Sequence, residues 1–130
     1  MFVLIVKFLI PFLIGSSIFF AAIVAPNSFK NLDEKNARKY IRSIFPKLYL
    51  WSAVLSFLIF IALLPINYFF SFIMFVVFIG YVFSREFLMK LINQAADNKS
   101  DQKKFRKLHT FSVIIFVSQI FIIFALYFLI

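Results

Sequence analysis

The chain has 130 residues, of which 64% are hydrophobic and 15% charged, with a mean hydropathy of +1.00 and a formal net charge of +9. That is more apolar surface than a water-exposed domain of this size can hide, so lipid must act as solvent for much of it. The lack of cysteine excludes disulfides, thiolate metal sites and cysteine nucleophiles, and the basic residues flank apolar runs, which points to membrane surfaces and not to nucleic acid.

Four segments reach the length of about 20 apolar residues that a helix needs to cross a hydrocarbon core of about 30 Å. The first, at about 2–24, is interrupted only by Lys7, Pro11 and Gly15-Ser16-Ser17. It has no basic leader, and Pro26 follows the best cleavage position at Ala25, so it reads as a retained span. Lys7 stands about two turns from the outer end; it is either an amine that snorkels to the headgroups or a buried functional one. Ser17, Ala21 and Ala25 are spaced four apart and would admit a closely packed neighbour.

In the first loop, Asn31 or Asp33 can cap a helix in which Ala37, Ile41, Ile44, Phe45 and Leu48 share one face. Lys35, Arg38, Lys39 and Arg42 fill the opposite face. The pattern predicts an amphipathic interfacial helix of about three turns lying on anionic headgroups, with Pro46 ending it. Pro26 and Pro46 bracket this interfacial motif, and Phe29, Phe45 and Tyr49 are expected to anchor it at headgroup level.

The second span covers about 48–64 and the third about 68–90, with only Pro65-Ile66-Asn67 between them, a connection that demands an antiparallel hairpin. Glu86 and Lys90 form an i,i+4 pair that favours extending the third helix beyond the membrane. A polar turn follows between Asn93 and Lys99. Ser100 or Asp101 can cap the next helix, Phe105 and Leu108 share a face, and the fourth span runs from about 110 to 130. Ser112 and Gln119 make a polar stripe along it, suited to an interhelical hydrogen bond.

Six Lys and Arg lie in the first loop, seven in the third and none in the second; Lys7 is the only other one. Carrying a Lys or Arg through the bilayer centre costs roughly 2.5–3.5 kcal/mol on insertion scales. Both large loops are therefore expected in the cytoplasm and both termini outside it. The expected architecture is an all-α integral membrane domain over 1–130: four transmembrane helices in two antiparallel hairpins, in a bacterial cytoplasmic membrane.

Few residues offer chemistry. There is no phosphate-binding glycine loop, no His-Glu-x-x-His zinc motif and no Gly-x-Ser-x-Gly elbow. All five acids fall in the basic loops, so no buried acid is available for proton coupling. His109, the single histidine, sits where the fourth span begins; it is either a structural hydrogen-bonding group or a proton, metal or ligand residue. Asn93, Asp97, His109 and Ser112 form a candidate polar latch or ligand site. Asn93 and Asp97 are four apart on one helix, and His109 approaches from the next, positioned to bond Asp97.

The motifs resemble a known family. Ala25-Pro26-x-x-Phe29-x-x-Leu32, Ala37 and Phe45-Pro46-x-x-Tyr49 are similar to the first-loop pattern of the transmembrane-protein-205-like family, also catalogued as domain of unknown function 4149. Ile92-Asn93-x-x-x-Asp97 and Phe105-x-x-Leu108-His109-x-x-Ser112 resemble its later motif. Phe116 and Ala95-Ala96 stand where that family often has Asn and Arg. The resemblance implies a four-helix membrane fold and little mechanism.

The leading expectation is a small membrane scaffold or accessory subunit with no cofactor and no enzymatic activity. Its partners would be the lipid bilayer, anionic headgroups on the cytoplasmic side, and a membrane protein or a second copy of the chain. A transport or small-molecule-binding protein is the alternative, with a midplane polar cavity lined by Gly15, Ser16, Ser17, Ser52, Ser56 or Gln119. A metal or haem redox protein using His109 comes third.

Overall fold

The computed structural model of the chain describes residues 1–130, the side chain of Asp101 excepted. Four helices are long and apolar enough to cross a membrane: α1 (Phe2–Asn31), α2 (Glu34–Leu63), α3 (Tyr68–Asp97) and α4 (Gln102–Leu129). There is no strand among the described residues. Each helix overshoots the apolar stretch that marks it in the sequence. Thirty helical residues measure about 45 Å, which covers the headgroup layers as well as the hydrocarbon. The apolar run records only the crossing. The helix continues because its backbone groups stay paired on either side.

Pro46 does not end a helix. It lies inside α2, so the segment from Glu34 to Phe45 is the first part of the same helix as the second span and not a separate interfacial one. An interior proline removes one N–H and costs about 3 kcal/mol. Tertiary contacts surround this one. The Phe45 ring meets Phe20 edge-on with centroids 5.0 Å apart, the Pro46 carbonyl accepts from Arg85 Nε at 3.2 Å, and Leu48 and Tyr49 are buried one turn on. The amphipathic pattern itself is present, with Ala37 buried and Lys35, Arg38 and Lys39 exposed.

Two single π turns interrupt the α-helical ladder, at Phe20–Val24 in α1 and Ser84–Leu88 in α3. The buried row of α1 is Val6, Ile10, Leu13, Ser17 and Phe20, alternating steps of four and three. Because the row steps from Ser17 to Phe20, Ala21 faces outward and the Ser17-Ala21-Ala25 stripe makes no continuous contact strip. In α3 the wider turn accompanies a change of partner: Glu86 pairs with Arg85 and not with Lys90.

The turn between α2 and α3 is closed by Asn67. Its Oδ1 accepts from the backbone N–H groups of Phe69 at 2.9 Å and Phe70 at 3.1 Å, capping α3. Between α3 and α4, Asn98 Oδ1 accepts from the Ser100 N–H at 3.2 Å and its hydroxyl at 2.7 Å, at the start of the 3-10 turn Lys99–Asp101. The expected cap from the Asp101 side chain lies outside the described residues.

Val6, Ile10, Leu13, Ile59, Leu63, Met74, Tyr81 and Ile123 are fully buried at the centre of the bundle. Large side chains such as Phe8, Phe72 and Phe121 point outward. Lipid tails are as apolar as leucine, so helix association in a bilayer rests on packing and on interhelical hydrogen bonds, worth roughly 0.6 kcal/mol each. Besides the bond from Arg85 to Pro46, bonds of this kind join each neighbouring pair of helices around the bundle. Trp51 Nε1 donates to Ser16 Oγ at 3.1 Å (α2 to α1), and Ser71 Oγ to the Phe60 carbonyl at 3.0 Å (α3 to α2). Gln119 Nε2 donates to the Val77 carbonyl at 3.0 Å (α4 to α3). Lys7 Nζ donates to the Tyr127 carbonyl (α1 to α4).

Candidate functional site

Charge collects where α2 begins and α3 ends. Asp33 occupies the N-cap position of α2, with extended backbone, but its carboxylate accepts from the Asn36 side chain at 2.5 Å instead of from a backbone N–H. Glu34 pairs with Arg38 at 2.8 Å, one turn along. Arg42 reaches across to α3 and grips Asp97 with both guanidinium nitrogens, at 2.6 and 3.2 Å. A planar fork on a carboxylate is the strong form of this interaction. Asp97 lies past the membrane-crossing stretch at about 68–90. The hydrogen bond from Arg42 holds its carboxyl below the usual carboxylate range, helped by the positive charges of Arg42 and Arg38. These residues, with Lys35 and Lys39, line an open depression of about 690 Å³.

This arrangement corrects the expected latch. Asp97 bonds Arg42, 55 residues away, and not His109. His109 is exposed, with its ring stacked on Phe105 at a centroid distance of 5.9 Å. Its carbonyl accepts from Ser112 Oγ at 2.7 Å, which is a local helical bond and not a link between helices. Asn93 is half-buried and Ser112 buried. The carboxylate expected to join the four residues is taken by Arg42. Arg42 was legible only as part of a basic face. An isolated acid among many cations was the available signal that Asp97 would pair with one of them.

The interfacial motif also separates into parts. Pro26 and Phe29 are exposed, whereas Phe45 and Pro46 are half-buried. Tyr49 is 4% exposed and belongs to the core, with its ring 6.5 Å from Tyr81 and 6.4 Å from Phe116. It is therefore a packing residue and not a headgroup anchor. Lys7 does not simply snorkel. Its Nζ bonds the Tyr127 carbonyl and lies 4.2 Å from the centre of that ring. The carbonyl is in the last turn of α4, where the helix dipole favours a cation.

No three metal-ligating side chains gather among the described residues. A second depression, of about 430 Å³, lies at the start of the fourth span, where Lys103, Arg106 and Lys107 sit above Thr110, Phe111 and Ile114.

The family model described as Domain of unknown function (DUF4149) matches residues 8–101. That range contains Arg42, Tyr49, Asn93 and Asp97 and stops before His109 and Ser112. No curated protein and no solved structure matches the chain.

Proposed function

Since the chain belongs to the DUF4149 family, we propose that it is a membrane scaffold or accessory subunit of transmembrane-protein-205-like type, working in a bacterial cytoplasmic membrane. The observation that carries this reading is the ionic face formed by α2 and the end of α3. Arg42 and Asp97 are locked together, and around them Lys35, Arg38 and Lys39 stay exposed. A surface that carries this ion pair and still exposes the ammonium groups of Lys35 and Lys39 suits docking on an acidic partner or on anionic lipid, each nearby cation adding about 1 kcal/mol at a lipid surface. No group there is arranged as nucleophile, base or oxyanion donor, which favours a non-enzymatic role.

In this reading the helices form two antiparallel hairpins, the basic ends face the cytoplasm and both termini lie outside. The Glu34 to Phe45 segment works at the headgroup level as the leading turns of α2. The test is a photo-crosslinker at Lys35 or Lys39 in the chain expressed at its native level. A single stoichiometric adduct with an acidic membrane protein, or with an anionic phospholipid, is expected. Absence of any adduct at both positions overturns the reading. A reporter that fluoresces only in the cytoplasm, fused to Ile130, should stay dark; a bright fusion reverses the orientation.

A further inference from the structure

The middle of the bundle holds polar groups of a different standing from those at its rim. Ser17 Oγ, Ser52 Oγ, Ser56 Oγ, Tyr81 Oη and Gln119 Oε1 are buried without a hydrogen-bond partner in the protein. All five residues are at least 95% buried. Together they draw on all four helices: Ser17 on α1, Ser52 and Ser56 on α2, Tyr81 on α3 and Gln119 on α4.

The contacts between helices set their levels. The Trp51 bond to Ser16 brings the neighbouring residues Ser17 and Ser52 to similar levels on α1 and α2. The Tyr49 and Tyr81 rings are 6.5 Å apart, so Tyr81 lies about one turn from Ser52. Gln119 bonds the Val77 carbonyl and presses against Gly80, next to Tyr81. The five oxygens therefore share a band about two turns, or roughly 10 Å, tall. Other serines are satisfied in the ordinary way: Ser16, Ser28, Ser71 and Ser112 each donate to a backbone carbonyl. Among the described residues, the fully buried side-chain hydroxyls without a partner are Ser17, Ser52, Ser56 and Tyr81, all in this band, and surrounding lipid has nothing to offer them.

The donor set defines what would fit. Four hydroxyls can both donate and accept. Gln119 Oε1 only accepts, and its Nε2 is committed to Val77. No ionised side chain belongs to the band. Lys7 is engaged at Tyr127, and Arg85 at Glu86 and Pro46. A charged guest would find no counter-charge and lose its hydration. We propose that the centre of the bundle is a binding site for a small neutral hydrogen-bonding guest, held by Ser17, Ser52, Ser56, Tyr81 and Gln119. Water molecules and a small neutral solute share that chemistry. The site goes beyond the scaffold reading and stands or falls without it, since none of its residues touches the ionic face.

The experiment uses the full chain in lipid nanodiscs. Magnetisation transferred from water in solid-state NMR should reach Ser52, Ser56 and Tyr81 at short mixing times if water is the guest. If a solute is the guest, that transfer fails and a stoichiometric small neutral molecule is released on denaturation, read by mass spectrometry. The absence of both signals overturns the site. Ser52→Ala, Ser56→Ala and Gln119→Met supply a second measurement of opposite sign. A guest deprived of a partner lowers the thermal midpoint of each variant. An oxygen that bonds nothing leaves the midpoint unchanged or raised when it is removed, and that result also overturns the site.

Discussion

Replacing Gly80 with alanine tests the packing of α3 against α4 through a change of sign. A Cβ at Gly80 would collide with Gln119 Nε2 and approach its Cδ at 3.5 Å. In an isolated helix the substitution stabilises by roughly 0.8–1.0 kcal/mol. Here the amide must swing away from the Val77 carbonyl, which it meets at 3.0 Å in a buried site. Leaving buried groups unpaired costs about 1–3 kcal/mol, so Gly80→Ala should destabilise by about 1 kcal/mol. In a Gln119→Ala background the obstacle is gone, and the same change should stabilise by up to about 1 kcal/mol. The coupling between the two positions is then about 2 kcal/mol. Gly15 is the control: a Cβ there meets nothing within 4 Å, so Gly15→Ala should stabilise. Reversible unfolding of all four variants by a denaturing detergent in mixed micelles gives the free energies. If Gly80→Ala stabilises as much as Gly15→Ala in the wild-type background, the reasoning is wrong.

Arg42→Gln and Asp97→Asn should show a positive coupling in a double-mutant cycle at neutral pH. Because the folded-state pKa of Asp97 is lowered, the contribution is present above the ordinary carboxylate range. It should fade as pH falls through the lowered value; a coupling that persists in acid would exclude the ion pair as its source. Lys7→Met should free the last turn of α4, raising hydrogen exchange at 124–130 while leaving 48–64 protected. Unchanged exchange at 124–130 would show that the contact with Tyr127 holds nothing. Pro46→Ala should restore an N–H to the Arg42 carbonyl and stabilise by up to about 3 kcal/mol. A loss of stability would mean that the chain bends at Pro46, contrary to a continuous α2.

The four crossings were legible because apolar length is a local property and each run, such as 68–84, carries no charge. What local reading missed was supplied from a distance. Pro46 carries the usual sign of a helix end, yet Phe20 and Arg85 pack around it from other helices. Tyr49 lies at a span boundary, where an aromatic commonly anchors, but Tyr81 and Phe116 enclose it. His109 and Asp97 are neighbours along the chain, which made them look like partners, and the competing Arg42 is 55 residues from Asp97. Ser17, Ser52, Ser56 and Gln119 were readable as polar residues of the spans. That their oxygens share one band required the register between the helices.

The contact between Lys7 and Tyr127 also orders events in time. The two residues are 120 positions apart, so the amine enters the membrane long before its acceptor exists. At about 5–20 residues per second the wait is about 6–24 s. During that interval the amine lacks the carbonyl that it meets in the finished fold. Closing the ring is thus left to α4, whose last turn holds the acceptor.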